Sequence, residues 1–322
     1  MNINPVFQAE TASDLRGDIF KIGASLCIYS PVCSFIATFF LNAYSRQSGA
    51  DANLADSFIN SAFYPIYSLI VTLVPIALCI ILLNALTRRK MSPLMLKPAV
   101  SGRRFAAFTA VGLGAIPISV IVSILSEKVL TLFEIDPSVT QAPQGAFATV
   151  IFILTHAFIA PIAEELLFRS VILERLRRYG DLFAVLTSAL LFSLLHSSFQ
   201  SYLYAFVSGV IFGLLAIWTG SALCPIIIHF INNALSVCMI LLADKKSMQQ
   251  SDLIYIGILG VMFIIAVAAV LLLQKNNSQT FELKFCKKIL TGKRKASILF
   301  FSLPMIVFII MSLFLAISAV AA

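Results

Sequence analysis

Charge is what this sequence has least of. Only 12% of its 322 residues are Asp, Glu, Lys or Arg, against 60% that are hydrophobic. A water-soluble chain of this length could not bury that much apolar side chain, so a soluble globular enzyme is excluded. C-x-x-C pairs are missing too. The six cysteines, Cys27, Cys33, Cys79, Cys224, Cys238 and Cys286, are scattered, and five fall in or beside apolar runs. They read as small buried hydrophobes rather than a thiolate metal site or a dithiol centre. HExxH is absent, which removes an ordinary zincin. No aspartate lies deep in an apolar run, which removes an intramembrane aspartyl pair. Ser208 sits in AFVSG, without the first glycine of a GxSG serine motif. There is no P-loop, no G-x-G-x-x-G, no internal repeat, no low-complexity tract and no loop long enough to house a soluble domain.

What remains is a succession of apolar runs. A spanning helix needs about 20 residues. Nine runs, at 22–45, 63–86, 105–133, 145–170, 182–198, 202–220, 223–243, 253–274 and 297–320, come near or exceed that length. None shows the alternation of a membrane β-barrel. The expected fold is all-α, a polytopic transmembrane helical bundle of eight to nine spans. Residues 1–104 supply N-terminal membrane helices, 105–243 a central core and 244–322 C-terminal membrane helices. The first twenty residues are polar and lack the basic stretch and short apolar core of a signal peptide, so the first span is expected to be retained.

The net charge of +8 is gathered in short loops. Arg88, Arg89, Lys90, Lys97, Arg103 and Arg104 precede the third span. Arg169, Arg175, Arg177 and Arg178 end the fourth, and Lys284, Lys287, Lys288, Lys293, Arg294 and Lys295 precede the last. With nine spans all three groups fall on one side, and the positive-inside rule makes that side and the N-terminus cytoplasmic. Glu134 and Asp136 lie in an opposite loop. Lys245 and Lys246 would lie outside, offset by Asp244 and Asp252. Such loops imply anionic lipid head groups as partners and no nucleic acid.

Three places put polar groups where hydrocarbon is expected: PIAEELLFR at 161–169, FSLLH at 192–196 and HFINN at 229–233. Ionisable groups in a membrane core are expensive and are paired or functional. Glu165 and Arg169, four apart, share a helix face, while Glu164 is rotated by about 100°. One carboxylate can thus be anchored while the other faces a cavity, as a general base requires. The alternative is a juxtamembrane charge cluster. That reading suits Glu174, Arg175, Arg177 and Arg178, expected to form a solvated helical tail. Glu164 and His196 lie equally far from Gly180, so an antiparallel hairpin would bring them to one depth and let them face each other. Otherwise His196 is an interfacial histidine. His229 and Asn233 share a face and could hold water or donate to an oxyanion, or could form a polar clamp between helices. Asn232 is turned toward a neighbouring helix, and His156 is assigned a structural place. A transporter could use the same groups as an ion path.

The ordered set EExxxR, FxxxH and HxxxN on successive apolar helices resembles the CPBP family of intramembrane proteases, the CAAX protease and bacteriocin-processing (Abi) group. The resemblance covers roughly 145–243. It implies an intramembrane endopeptidase acting on a membrane-associated peptide or protein. Glu164 and His196 would activate water, His229 and Asn233 would stabilise the oxyanion, and Glu165 and Arg169 would brace the site. The family is commonly labelled metalloprotease. If a zinc ion is held, Glu164, His196 and His229 are its ligands, but a water polarised by Glu164 requires no cofactor, and that arrangement is preferred. Family members also serve as bacteriocin-immunity proteins or scaffolds without proteolysis. The expected location is a bacterial cell membrane.

Overall fold

The computed structural model describes residues 11–49, 54–59, 61–87, 97–133, 143–196, 198–243, 248–276, 281–283 and 290–321. Within them the chain is helical throughout and forms a polytopic membrane bundle. Seven helical stretches are long and apolar enough to cross a membrane, and a bent pair near the C-terminus makes an eighth. The fifth expected span, α10 (Asp181–Leu195), has only 15 residues. It rises about 22 Å at 1.5 Å per residue, short of a hydrocarbon core about 30 Å thick.

The N-terminal helices differ from expectation. α1 (Ala12–Leu26) starts ten residues before the expected first span. Thr11 and Asp14 close a reciprocal capping box, each side chain bonding the other's backbone N–H. Such a box satisfies two otherwise unpaired donors. Leu15, Ile19, Ile22 and Leu26 then fall on one helical face, and all are buried. α2 (Tyr29–Ser48) follows after a break at Cys27 and Ile28. α3 (Leu54–Ile59) and α4 (Phe63–Thr87) complete this part.

The central helices are α5 (Gly102–Leu113) and α6 (Ala115–Leu132), then a long composite helix, then α10, α11 (Phe199–Thr219) and α12 (Leu223–Ala243). The composite helix runs through α7 (Ala146–Ile153), a π-helical stretch Leu154–Ile159, α8 (Ala160–Glu165), a second π-helical stretch Leu166–Leu173 and α9 (Glu174–Leu176). It ends in a 3₁₀ turn before Gly180, whose φ of 113° suits glycine. α10 and α11 form a hairpin closed by small residues. A Cβ on Gly209 would lie 3.0 Å from the Cα of Ala189, and Ser193 Oγ donates to the Tyr202 carbonyl at 2.6 Å. Close backbone approach of this kind drives helix association where no hydrophobic effect operates.

α13 (Met248–Asn276) lies at the periphery, with most of its apolar side chains facing outward. The last expected span is instead two helices, α14 (Gly292–Phe300) and α15 (Leu303–Ala321), bent by 67°. Pro304 explains the break, because it has no N–H for the preceding turn and its ring would clash there. Gly23 of α1 admits α15, since a Cβ there would sit 2.9 Å from the backbone nitrogen of Met305.

The described basic stretches meet at one end of the bundle. Ala99 N–H donates to the Thr219 carbonyl at 2.9 Å. Gly220 and Ser221 line a small cavity with Glu174 and Arg177. Lys295 Nζ donates to the Tyr179 carbonyl. The expected solvated tail is not one. Arg175 Nη2 lies 2.6 Å from Asp18 Oδ1, Arg178 pairs with Asp18 Oδ2, and Tyr179 donates to the same oxygen at 2.8 Å. Asp18, in the polar stretch ahead of the first expected span, is 3% exposed. A single buried carboxylate therefore ties α1 to the end of the composite helix. Arg88, Arg89, Lys90, Glu134, Asp136, Asp244, Lys245, Lys246, Lys284, Cys286, Lys287 and Lys288 lie outside the described residues.

Candidate active site

The site begins with a missing hydrogen. In the first π-helical stretch, backbone N–H groups reach back five residues, as Ala160 N–H does to the Thr155 carbonyl. The next donor in that register would be residue 161, which is proline and has none. The His156 carbonyl is thereby released, and Asn233 Nδ2 of α12 donates to it at 3.0 Å. Proline thus positions the asparagine. π-Turns of this kind are rare and concentrate at functional sites.

Glu164 and Glu165 follow between the two π-helical stretches. Glu165 is fully buried beside Arg169, with Oε2 2.8 Å from Nε and both side chains at 0% exposure. The contact is close in distance but out of line for a hydrogen bond, so we describe it as an ion pair. Arg169 Nη1 also donates to Ser188 Oγ at 3.0 Å, and Ser188 donates onward to the Phe168 carbonyl at 2.9 Å. The guanidinium carbon lies 5.0 Å from the Phe192 ring centre and 5.9 Å from that of Phe212. A planar cation paired on one edge and stacked on aromatic faces is what arginine, not lysine, can satisfy.

Glu165 has a second neighbour. Its Oε1 lies 3.1 Å from Nδ1 of His229, while Nε2 of the same ring lies 3.8 Å from Glu164 Oε2. His229 therefore stands between two carboxylates, one buried and neutralised by arginine, the other 17% exposed. The rings of Phe192 and Phe212 box the imidazole, with centroids 5.9 and 5.1 Å away. Asn232, turned from the His229 face as expected, donates to Tyr204 Oη of α11 at 2.7 Å and to Asn233 Oδ1 at 3.2 Å. His156 is held structurally, its ring 4.5 Å from Phe152 and its Nε2 3.4 Å from Ser68 Oγ.

His196 is brought to the same region but not onto Glu164. Among the described residues no ion pair joins the two within 4.0 Å, and the neighbour of Glu164 is His229. His196 Nδ1 is 2.9 Å from the Phe192 carbonyl, and its ring packs on Phe192 at 4.8 Å. Phe192 thus packs against both imidazoles. No spacing or motif singles out Tyr204 or Phe212. Ser188 did carry a signal, since 188, 192 and 196 repeat every four residues and share a face of α10.

The expected ligands Glu164, His196 and His229 do not gather as a metal site among the described residues. Nδ1 of His229 faces Glu165, and Nδ1 of His196 faces the Phe192 carbonyl. Among the described residues no three His, Cys, Asp or Glu side chains are close enough to share a metal. The metalloprotease label therefore has no support in the arrangement of Glu164, His196 and His229.

Carboxylates, imidazole and amide are thus gathered from three helices inside a membrane bundle. Residues 146–235 match the family described as type II CAAX prenyl endopeptidase Rce1-like. This segment is thus similar to that family, the group its three motifs resemble. Over 145 residues it is 33% identical to the membrane-embedded CAAX protease MroQ of Staphylococcus aureus (strain USA300). That alignment covers 42% of this chain and 59% of the relative's length. No solved structure matches the chain.

Proposed function

We propose that this protein is an intramembrane endopeptidase that hydrolyses a peptide bond of a membrane-associated protein or peptide. The observation that carries the reading is His229 held between Glu165 at 3.1 Å and Glu164 at 3.8 Å. In this reading His229 donates its Nδ1 hydrogen to Glu165, which Arg169 pairs on its other oxygen. Nε2 then presents its lone pair toward Glu164, leaving the more open carboxylate to act on a water. Glu164 takes a proton from that water as its oxygen attacks the scissile carbonyl carbon. The same proton passes to the amide nitrogen as the C–N bond breaks. Asn233 spends one Nδ2 hydrogen on His156 and keeps the other for the developing oxyanion, with His196 as a second donor. No metal enters these steps.

The relative's printed name and the family's description both point to CAAX substrates, and a lipid-anchored peptide suits a site among membrane helices. The test is cleavage of a membrane-anchored peptide by the purified protein, with and without a prenyl group. Glu164→Gln keeps the shape and removes the base, and general-base loss costs about 10²–10⁴ in rate. Asn233→Ala is expected to lose about 10²–10³, the usual scale for an oxyanion donor. Cleavage by Glu164→Gln at the wild-type rate overturns the assignment of the base. No cleavage of any anchored peptide by the folded wild type favours an immunity or scaffold protein.

A further inference from the structure

On the outer side of α10, away from Ser188 and Phe192, a groove of about 520 Å³ runs between α10, Phe206 of α11 and α14. Its wall follows α10 from Gly180 to Leu190, about 15 Å at 1.5 Å per residue. The lining is almost wholly apolar, with Leu182, Phe183, Leu186, Leu299 and Phe300 among its residues. One end differs. Lys295 lines the groove there, donating to the Tyr179 carbonyl and placing its ammonium 5.7 Å from the Phe183 ring centre. An ammonium carries three hydrogens, so this lysine is fixed in position with donors to spare. Lys293 and Arg294, both exposed, precede it in the first turn of α14. α14 is itself bent 67° from the spanning helix α15, and Phe300 and Phe301 at its far end are 47% and 80% exposed. Basic first turn, apolar flank and sharp departure from the span are the marks of a helix lying at the membrane interface.

We propose that this groove is a binding site for one anionic phospholipid, an acyl chain lying along α10 and the phosphate held by Lys295, with Lys293 and Arg294 adding positive charge from the same turn. Charge complementarity chooses the occupant. A zwitterionic lipid fills the apolar part equally well but gains less from three cations, each worth about fivefold in affinity near a lipid surface. The site is distinct from the carboxylate–histidine cluster and does not depend on the proposed proteolysis.

The experiment is native mass spectrometry of the full chain in detergent, titrated with phosphatidylglycerol or phosphatidylcholine of matched chains. One phosphatidylglycerol is expected to be retained about 10-fold or more tightly than phosphatidylcholine. Leu186→Trp, at a position 42% exposed on the groove wall, is expected to abolish retention of that lipid without lowering the lipid-free melting temperature. Lys295→Gln should weaken phosphatidylglycerol about fivefold. Because that change also removes the Tyr179 tie, Lys293→Gln with Arg294→Gln is measured beside it and should cost a similar factor or more. Equal binding of the two lipids overturns the head-group assignment. Unchanged retention by a folded Leu186→Trp variant overturns the groove as the site.

Discussion

Arg169 is the residue on which the site's electrostatics rest. It is buried with Glu165, bound to Ser188 and flanked by Phe192 and Phe212. Removing one partner of a buried pair strands the other charge, typically at about 3–5 kcal/mol. Arg169→Ala is therefore expected to lower the melting temperature and the cleavage rate together. Arg169→Lys restores the charge but not the fork, so it should recover part of the stability and little of the rate. Ser188→Ala should cost about 1–2 kcal/mol by leaving Nη1 unsatisfied, visible as a smaller drop in melting temperature. An Arg169→Ala protein that melts and cleaves like wild type would mean that the pair has no hold on His229. The Glu165–Arg169 pairing was legible from a spacing of four. Its aromatic walls were not, because Phe192 and Phe212 lie on other helices and only packing brings them over the guanidinium.

At the scale of the element, the composite helix is unusual in opening into π geometry on both sides of Glu164 and Glu165. Pro161 accounts for the first opening. Pro161→Ala supplies a donor that can claim the His156 or Ala157 carbonyl and tighten the turn. The variant is expected to melt no lower than wild type, yet to cleave at least about 10-fold more slowly, because Asn233 loses its acceptor. Stability and rate would then move apart, which a simple packing defect does not produce. In the sequence Pro161 reads only as a kink that a bundle interior can tolerate. That reading does not say which carbonyl is freed, since that depends on whether the register is four or five residues. The hairpin estimate was right in placing α10 back against the composite helix, and among the described residues the imidazole paired with Glu164 within 4.0 Å is that of His229. Counting residues fixes depth along an axis, but rotation about the axis decides contact, and the π-turns change that rotation.

For the whole molecule, hydropathy revealed nearly every apolar helix, because about twenty apolar residues have few other uses. It failed where a helix end is polar yet buried. Asp18 lies in the polar stretch before the first expected span, and its burial is explained by Arg175, Arg178 and Tyr179, some 160 residues on. Asp18→Asn leaves two partly buried arginines short of a counter-charge, and a loss of about 2 kcal/mol is expected, discounted from the fully buried case for their exposure. Its signature would be a lower melting temperature with little change in rate at limiting protein stability. The meeting of the basic stretches at one end makes a topological prediction. Single cysteines at 97 and 293 should be labelled from the same side of the membrane, and one at 145 from the other. By the positive-inside rule the shared side is the cytoplasm. Labelling of 97 and 293 from opposite sides would refute the arrangement.

The freed carbonyl of His156 has a consequence for anyone wishing to redesign this site. What holds Asn233 is an atom that proline lacks, and each of the other nineteen amino acids brings that atom back through its own backbone. No codon can therefore mimic Pro161 without its ring. A hydroxy acid can. Lactate incorporated at position 161 replaces the amide by an ester, with alanine's side chain and no N–H. If the missing hydrogen is the cause, the ester protein should cleave as the proline protein does, while the alanine protein does not. If the ring's bulk is the cause, ester and alanine should be equally slow.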